Sequence, residues 1–145
     1  MKNYFSFVLT ALFCLAFLFC HFGEASAQTA KKYCSIKDRL FVQQINDIRL
    51  NPQNYKDQII QIEGFFMEYR DQEYIVYRNT AGCCGADGMV GFEFKYKGGK
   101  LNFKQGEWVL VEGQVAKGKI YDKYIYLEAT SVIKKEQGKA KGFVM

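Results

Sequence analysis

From Gln58 onward, apolar side chains recur at every second position in five separated runs, and two of those runs carry a glycine at mid-length. A period of two is the signature of strands that bury one face. Ile60, Ile62 and Phe66 alternate with Gln61, Glu63 and Phe65 in the first run, and Tyr74–Arg78 makes a second. Val90–Lys97 is the third, with Phe92, Phe94 and Tyr96 on one face and Glu93, Lys95 and Lys97 on the other. Trp108–Val115 aligns Val109, Val111 and Val115, and Tyr124–Ile133 aligns Ile125, Leu127, Ala129 and Ile133. Gly64 and Gly113 weaken a flat sheet but permit the sharp coiling of a small closed one. The expected class is therefore mainly β, a small five-stranded OB-fold-like barrel. The segment 98–106, with Leu101 and Phe103, stands where such barrels often carry a helix, and Lys117-Gly118-Lys119 turns the last hairpin.

One helix is expected ahead of the barrel. Phe41, Ile45 and Ile48 recur at helical spacing, Ser35 and Asp38 resemble a capping box, and Leu50-Asn51-Pro52 ends the pattern. The reading is an amphipathic helix over 36–50 whose apolar face covers the sheet. Residues 28–35 are a polar linker, 36–133 the domain, and 134–145 a basic flexible tail with four lysines against Glu136.

Residues 1–27 have the form of a secretory signal. Lys2 gives the positive start, Phe5 to Phe19 the apolar core, and Ala25-Ser26-Ala27 the cleavage site before Gln28. Cleavage after Ala27 predicts a periplasmic or secreted protein with no transmembrane segment left. It removes His21, the sole histidine, and leaves Cys34, Cys83 and Cys84. An odd number of thiols outside the cytoplasm leaves at least one free, metal-bound or paired with another molecule.

Between the second and third strands lies Cys83-Cys84-Gly85-Ala86-Asp87, framed by Gly82 and Gly88. Glycines at both sides suggest a tightly shaped loop that turns both sulfurs to one side. This cluster, with Arg78 five positions before Cys83, resembles the extracytoplasmic C-terminal domain of a largely uncharacterised bacterial family of permease subunits. Asn51-Pro52, Tyr55-Lys56, Gly64-Phe65, Gly91 and Trp108-Val109 fall at comparable places, so the resemblance covers most of residues 38–133. It implies an extracytoplasmic domain and a membrane or envelope protein as partner.

Several chemistries stay open for the cluster. Thiolates suit Zn²⁺ or Cu(I), and Cys83, Cys84 and Asp87, with Cys34 as a fourth ligand, would form such a site. A strained Cys83–Cys84 disulfide, its thiolate favoured by Arg78, would act as a redox switch. A structural bond from Cys34 to one of the pair is an equal alternative, as is a purely structural loop in which Arg78 and Asp87 form an ion pair. Tyr74, Tyr77, Phe92, Phe94, Tyr96, Lys95 and Lys97 include the residue types of an oligonucleotide- or oligosaccharide-binding face. Nucleic acid is not expected as a partner of an exported chain. Catalysis is not expected either, because the usual general base is missing from the mature chain. The expected function is a non-enzymatic binding or accessory module.

Overall fold

The structure, a computed structural model, describes residues 31–82, 85–118, 124–137 and 143–144. The expected signal, Cys83, Cys84 and most of the last hairpin turn lie outside the described residues. The chain runs β1 (Lys32–Ser35), a 3₁₀ turn (Asp38–Leu40), α1 (Phe41–Leu50) and a second 3₁₀ turn (Pro52–Tyr55). Then follow β2 (Gln58–Arg70), β3 (Glu73–Gly82), β4 (Gly85–Tyr96), β5 (Trp108–Lys117), β6 (Ile125–Lys134) and β7 (Phe143–Val144).

Five of these strands close a ring of hydrogen bonds. β2 pairs antiparallel with β3 and with β5, β3 with β4, and β5 with β6. A parallel pairing of β4 with β6, from Phe94↔Leu127 to Tyr96↔Ala129, completes the circuit. The mainly β, barrel-like fold read from the alternation is thus the one observed. Ile60, Ile62, Phe66, Tyr74, Val76, Phe92, Phe94, Val109, Val111, Leu127 and Ala129 fill its interior. Phe41, Ile45 and Ile48 of α1 close the core, as their spacing predicts. Leu101 and Phe103 of the irregular 98–106 segment pack against it too.

The mid-strand glycines work by proximity. A Cβ on Gly64 would lie 2.5 Å from the Tyr77 carbonyl oxygen, and one on Gly113 2.6 Å from that of Glu128. Real side chains never come so close to backbone, so only glycine lets the neighbouring strand pass at these points.

Several boundaries differ from the sequence reading. Part of the expected linker is strand β1, which adds parallel to β2 from Lys32↔Gln58 to Ser35↔Gln61. Part of the expected flexible tail is β7, which pairs parallel with Asn79 and Thr80 of β3 and buries Val144 in the core. Cys34 of β1 packs against the core and Val144 of β7 is buried in it, gains that the polar composition around them conceals. The α-helix begins only at Phe41, and neither helical start carries a side-chain cap. Ile133 is 46% exposed instead of buried. β6 has one extra residue, Thr130, where Glu112↔Ser131 is followed by Gly113↔Ala129. This bulge reverses the inward phase, so Val132 packs on the core in place of Ile133.

After α1, the Tyr55 hydroxyl donates to Asp47 Oδ2, and Asn51 Nδ2 donates to Asp47 Oδ1 at 2.7 Å. Donation to Asp47, with some burial, pushes the Tyr55 phenol up to about 12. The same two donors hold the Asp47 carboxyl below its usual range, Tyr55 first.

Two outcomes are expected. Gly64→Ala and Gly113→Ala should each lower unfolding free energy by about 1–3 kcal/mol in urea titrations, because the obstructing atoms are backbone. A phenol whose pKa is raised on folding contributes stability that is complete below its ordinary value of 10 and is lost as pH rises through about 12. Stability should therefore fall over that interval more steeply in the wild type than in Tyr55→Phe, measured by denaturation at fixed pH.

Candidate functional site

The β3–β4 hairpin is longer than the sequence reading allows. Its ladder runs from Tyr74↔Phe94 through Thr80↔Gly88 to Gly82↔Gly85, with one extra residue on β4 before the last pair. Gly82, Gly85 and Gly88 thus belong to paired strands, not to an open glycine-hinged loop. At Gly88 the reason for glycine is again closeness, since a Cβ there would meet Thr80 Cγ2 at 2.7 Å. The chain between the paired Gly82 and Gly85 is two residues long, Cys83 and Cys84. Those two and the side chain of Asp87 lie outside the described residues.

Cys34 stands apart in character. It pairs with Ile60 across the β1–β2 ladder, packs half-buried against the core and is a free thiol. The alternative of a disulfide from Cys34 to Cys83 or Cys84 involves two residues outside the described ones. Burial pushes the Cys34 thiol up, outweighing the nearby Lys32 and Lys37. A thiol held protonated in apolar surroundings packs as a small hydrophobe and is a poor metal ligand. Among the described residues no three His, Cys, Asp or Glu side chains gather into a metal cage.

Arg78 is the buried charge of the molecule's described part, with its side chain 2% exposed. The β2–β3 ladder ends at Phe65↔Tyr77, and beyond that point β2 turns to β1 and β3 to β7. The guanidinium fills this fork. Arg78 Nε donates to the Glu63 carbonyl at 2.8 Å, and Nη1 donates to Asp38 Oδ1 at 2.7 Å. Its Cζ lies 4.4 Å from the Phe41 ring centroid and 5.3 Å from that of Trp108. Asp38 comes from the first 3₁₀ turn and is 57% exposed, so a carboxylate at the surface neutralises a cation in the interior. Sequence spacing reads Asp38 as a helix cap; in the fold it is the ion-pair partner of Arg78.

A cavity of about 240 Å³ lies beside this pair, lined by Ser35, Lys37, Gln61, Glu63 and Leu110 among others. Arg78 lies four residues from Gly82, roughly 13 Å along an extended strand. Its anchoring by Glu63 and Asp38 makes it a brace at the hairpin's base.

The aromatic face expected from the strands also resolves differently. Tyr74, Phe92 and Phe94 are core residues, and Tyr96 packs against the core. Tyr77 faces outward beside Phe65, with ring centroids 5.6 Å apart, and a second outward group is Tyr69, Tyr124 and Tyr126. Tyr69 is the extra residue of a bulge in β2, where Glu68↔Tyr74 is followed by Arg70↔Glu73. Its hydroxyl donates to Glu73 Oε2 at 3.1 Å and lies 3.3 Å from the Tyr124 hydroxyl. Tyr124 and Tyr126 stack with centroids 5.6 Å apart. Lys95 Nζ lies 5.5 Å from the Tyr126 ring centroid and 2.6 Å from Glu73 Oε1. Alternation in β6 already turns Tyr124 and Tyr126 outward, whereas the Tyr69 bulge leaves no mark in the sequence.

Removing one side of the Arg78 pair should be expensive. Arg78→Ala is expected to lower stability by about 3–5 kcal/mol, the range for an interrupted buried pair. Asp38→Asn should cost about 1–3 kcal/mol, because its carboxylate is half in water. Arg78→Lys should rescue little, since an ammonium cannot serve the Glu63 carbonyl and Asp38 with one planar fork. Chemical denaturation of the three variants checks the order.

No curated protein matches this chain. The model of an uncharacterised domain family, the DUF1980 C-terminal domain, matches residues 22–141, and the chain belongs to that family.

Proposed function

We propose that the mature chain is a non-enzymatic binding or accessory module that works outside the cytoplasm, with Cys83 and Cys84 as soft-metal ligands and Asp87 as the harder third ligand. The pairing of Gly82 with Gly85 is the observation that supports this reading. It leaves a link of two residues, both cysteines in the sequence, between the paired ends of β3 and β4. Two thiolates favour Cu(I) or Zn²⁺, and a carboxylate adds neutralising charge. The ligand set proposed here leaves out Cys34, which packs half-buried against the core on β1. Export through residues 1–27 and an envelope or permease-like protein as partner complete the reading. Those two elements are supported by the signal-like pattern and the Cys-Cys-x-Ala-Asp resemblance.

The reduced mature chain should take up one equivalent of Cu(I) or Zn²⁺ in calorimetry and retain it in a native mass spectrum. The Cys83→Ser, Cys84→Ser double variant should lose this uptake while unfolding at an unchanged temperature, and Asp87→Asn should weaken it. A wild-type chain that stays free of both metals would sink the metal reading. An untreated mass two hydrogens lighter than the reduced chain would replace it with a dithiol–disulfide function.

A further inference from the structure

We infer that the cavity beside Arg78 and Asp38 is a binding site for a free α-amino acid, held by both of its charges. The cavity measures about 240 Å³ and is walled by the segment 35–38 and by Gln61, Glu63, Arg78 and Leu110. Pockets for drug-sized ligands run to about 300–1,000 Å³, so this one suits a ligand of amino-acid size and is too small to enclose a nucleotide.

Two opposite charges meet in its wall. Arg78 Nη1 and Asp38 Oδ1 are 2.7 Å apart, the arginine side chain 2% exposed and the aspartate 57%. A guanidinium has five N–H groups, and among the described residues the Glu63 carbonyl and Asp38 take two of them. Asp38 meets Arg78 through Oδ1, which leaves Oδ2 to a further donor. The guanidinium is positioned before any ligand arrives, since it sits over the Phe41 and Trp108 rings. Gln61 is oriented as well: its Nε2 donates to Glu112 at 2.6 Å, so Oε1 is the atom left to accept. Charge-assisted bonds formed beside a desolvated cation are stronger than those at an open surface.

Charge selects the ligand class. Arg78 and Lys37 are cations and Asp38 and Glu63 anions, so the wall carries both signs in balance. A simple carboxylate would reach Arg78 only beside the Asp38 carboxylate, and a simple amine would reach Asp38 only beside the guanidinium. Like charges at that range repel. An α-amino acid carries its carboxylate and ammonium on one carbon, which matches a cation and an anion in contact. Its carboxylate accepts from Arg78, its ammonium donates to Asp38 Oδ2, and the Arg78–Asp38 pair survives. Leu110 offers a short side chain apolar contact, and Ser35 and Gln61 offer it hydrogen bonds. This site uses none of the Cys83–Cys84 chemistry, so it stands whether or not a metal binds there.

The test titrates the mature chain with L-alanine, L-serine, L-valine and L-glutamine, reading the Arg78 Nε–H resonance and the backbone amides of Lys37 and Asp38. At least one of the four should shift these signals and saturate them below millimolar concentration. The N-acetyl form of that amino acid, which lacks the ammonium, and its amide, which lacks the carboxylate, should each bind at least about tenfold more weakly, as does acetate. These comparisons use the wild-type chain, so they hold even where a variant folds poorly. Asp38→Asn keeps an acceptor for Arg78 but removes the anion, and should weaken the amino acid about tenfold while leaving its N-acetyl form within about threefold. Signals unmoved by all four amino acids at millimolar concentration would overturn the assignment. So would an acetylated or amidated form, or acetate, that binds as tightly as the amino acid, or an Asp38→Asn variant with wild-type affinity.

Discussion

The guanidinium of Arg78 occupies the place where two neighbouring strands stop pairing. β2 and β3 share a ladder only as far as Phe65↔Tyr77, after which each takes a short strand of its own as neighbour. A fork of this kind exposes backbone acceptors inside the fold, and an unpaired buried carbonyl costs about 1–3 kcal/mol. Arg78 Nε donates to the Glu63 carbonyl, and the same guanidinium sits over the Phe41 and Trp108 rings at cation–π distance. An ammonium could supply the charge but not the plane. The cation is neutralised by Asp38, which belongs to the turn just before α1. One side chain thereby joins the sheet, the helix entry and the fork.

That arrangement explains the ring's geometry as well. α1 packs Phe41, Ile45 and Ile48 on the core from one side, and its last turn is fastened to β4 by Arg49, which donates to the Gly91 carbonyl at 2.8 Å and pairs with Glu93 at 3.2 Å. With the helix fixed at its start by Asp38 and near its end by Arg49, the sheet edge it covers cannot twist freely. Gly64 and Gly113 let the strands coil within that constraint, each admitting a neighbouring carbonyl where a methyl would stand.

Alternation made most of this fold legible from sequence, because a strand that buries one face writes its phase into every second residue. Ile60, Ile62, Phe66, Phe92, Phe94, Val109, Val111 and Leu127 all sit where that phase puts them. What escaped depends on pairings between distant segments. A bulge changes phase through one extra residue, so Ile133 fell on the wrong side of the reading. β1 and β7 are too short to show a period, and Asp38 resembles a cap until the sheet brings Arg78 beside it. The candidate cysteine site was legible as a motif, but its setting was not. The sequence suggested a glycine-hinged loop, while the fold continues the β3–β4 ladder up to Gly82 and Gly85.

Closing the ring also limits how this domain can recognise anything. In an open sheet the edge backbone itself is a binding surface, ready to add a strand. Here β2, β3, β4, β5 and β6 share a closed circuit of ladders, with β4 and β6 joined over Phe94–Tyr96, and β1 and β7 extend the two arms of the fork. The side chains that point outward on the described face divide into two kinds. Most are lysine–carboxylate pairs such as Lys97–Glu128 and Lys134–Glu107, which cancel each other's charge and favour water. The tyrosines differ, because their rings lose little by leaving water while their hydroxyls remain hydrogen-bonded to Glu73 and to each other.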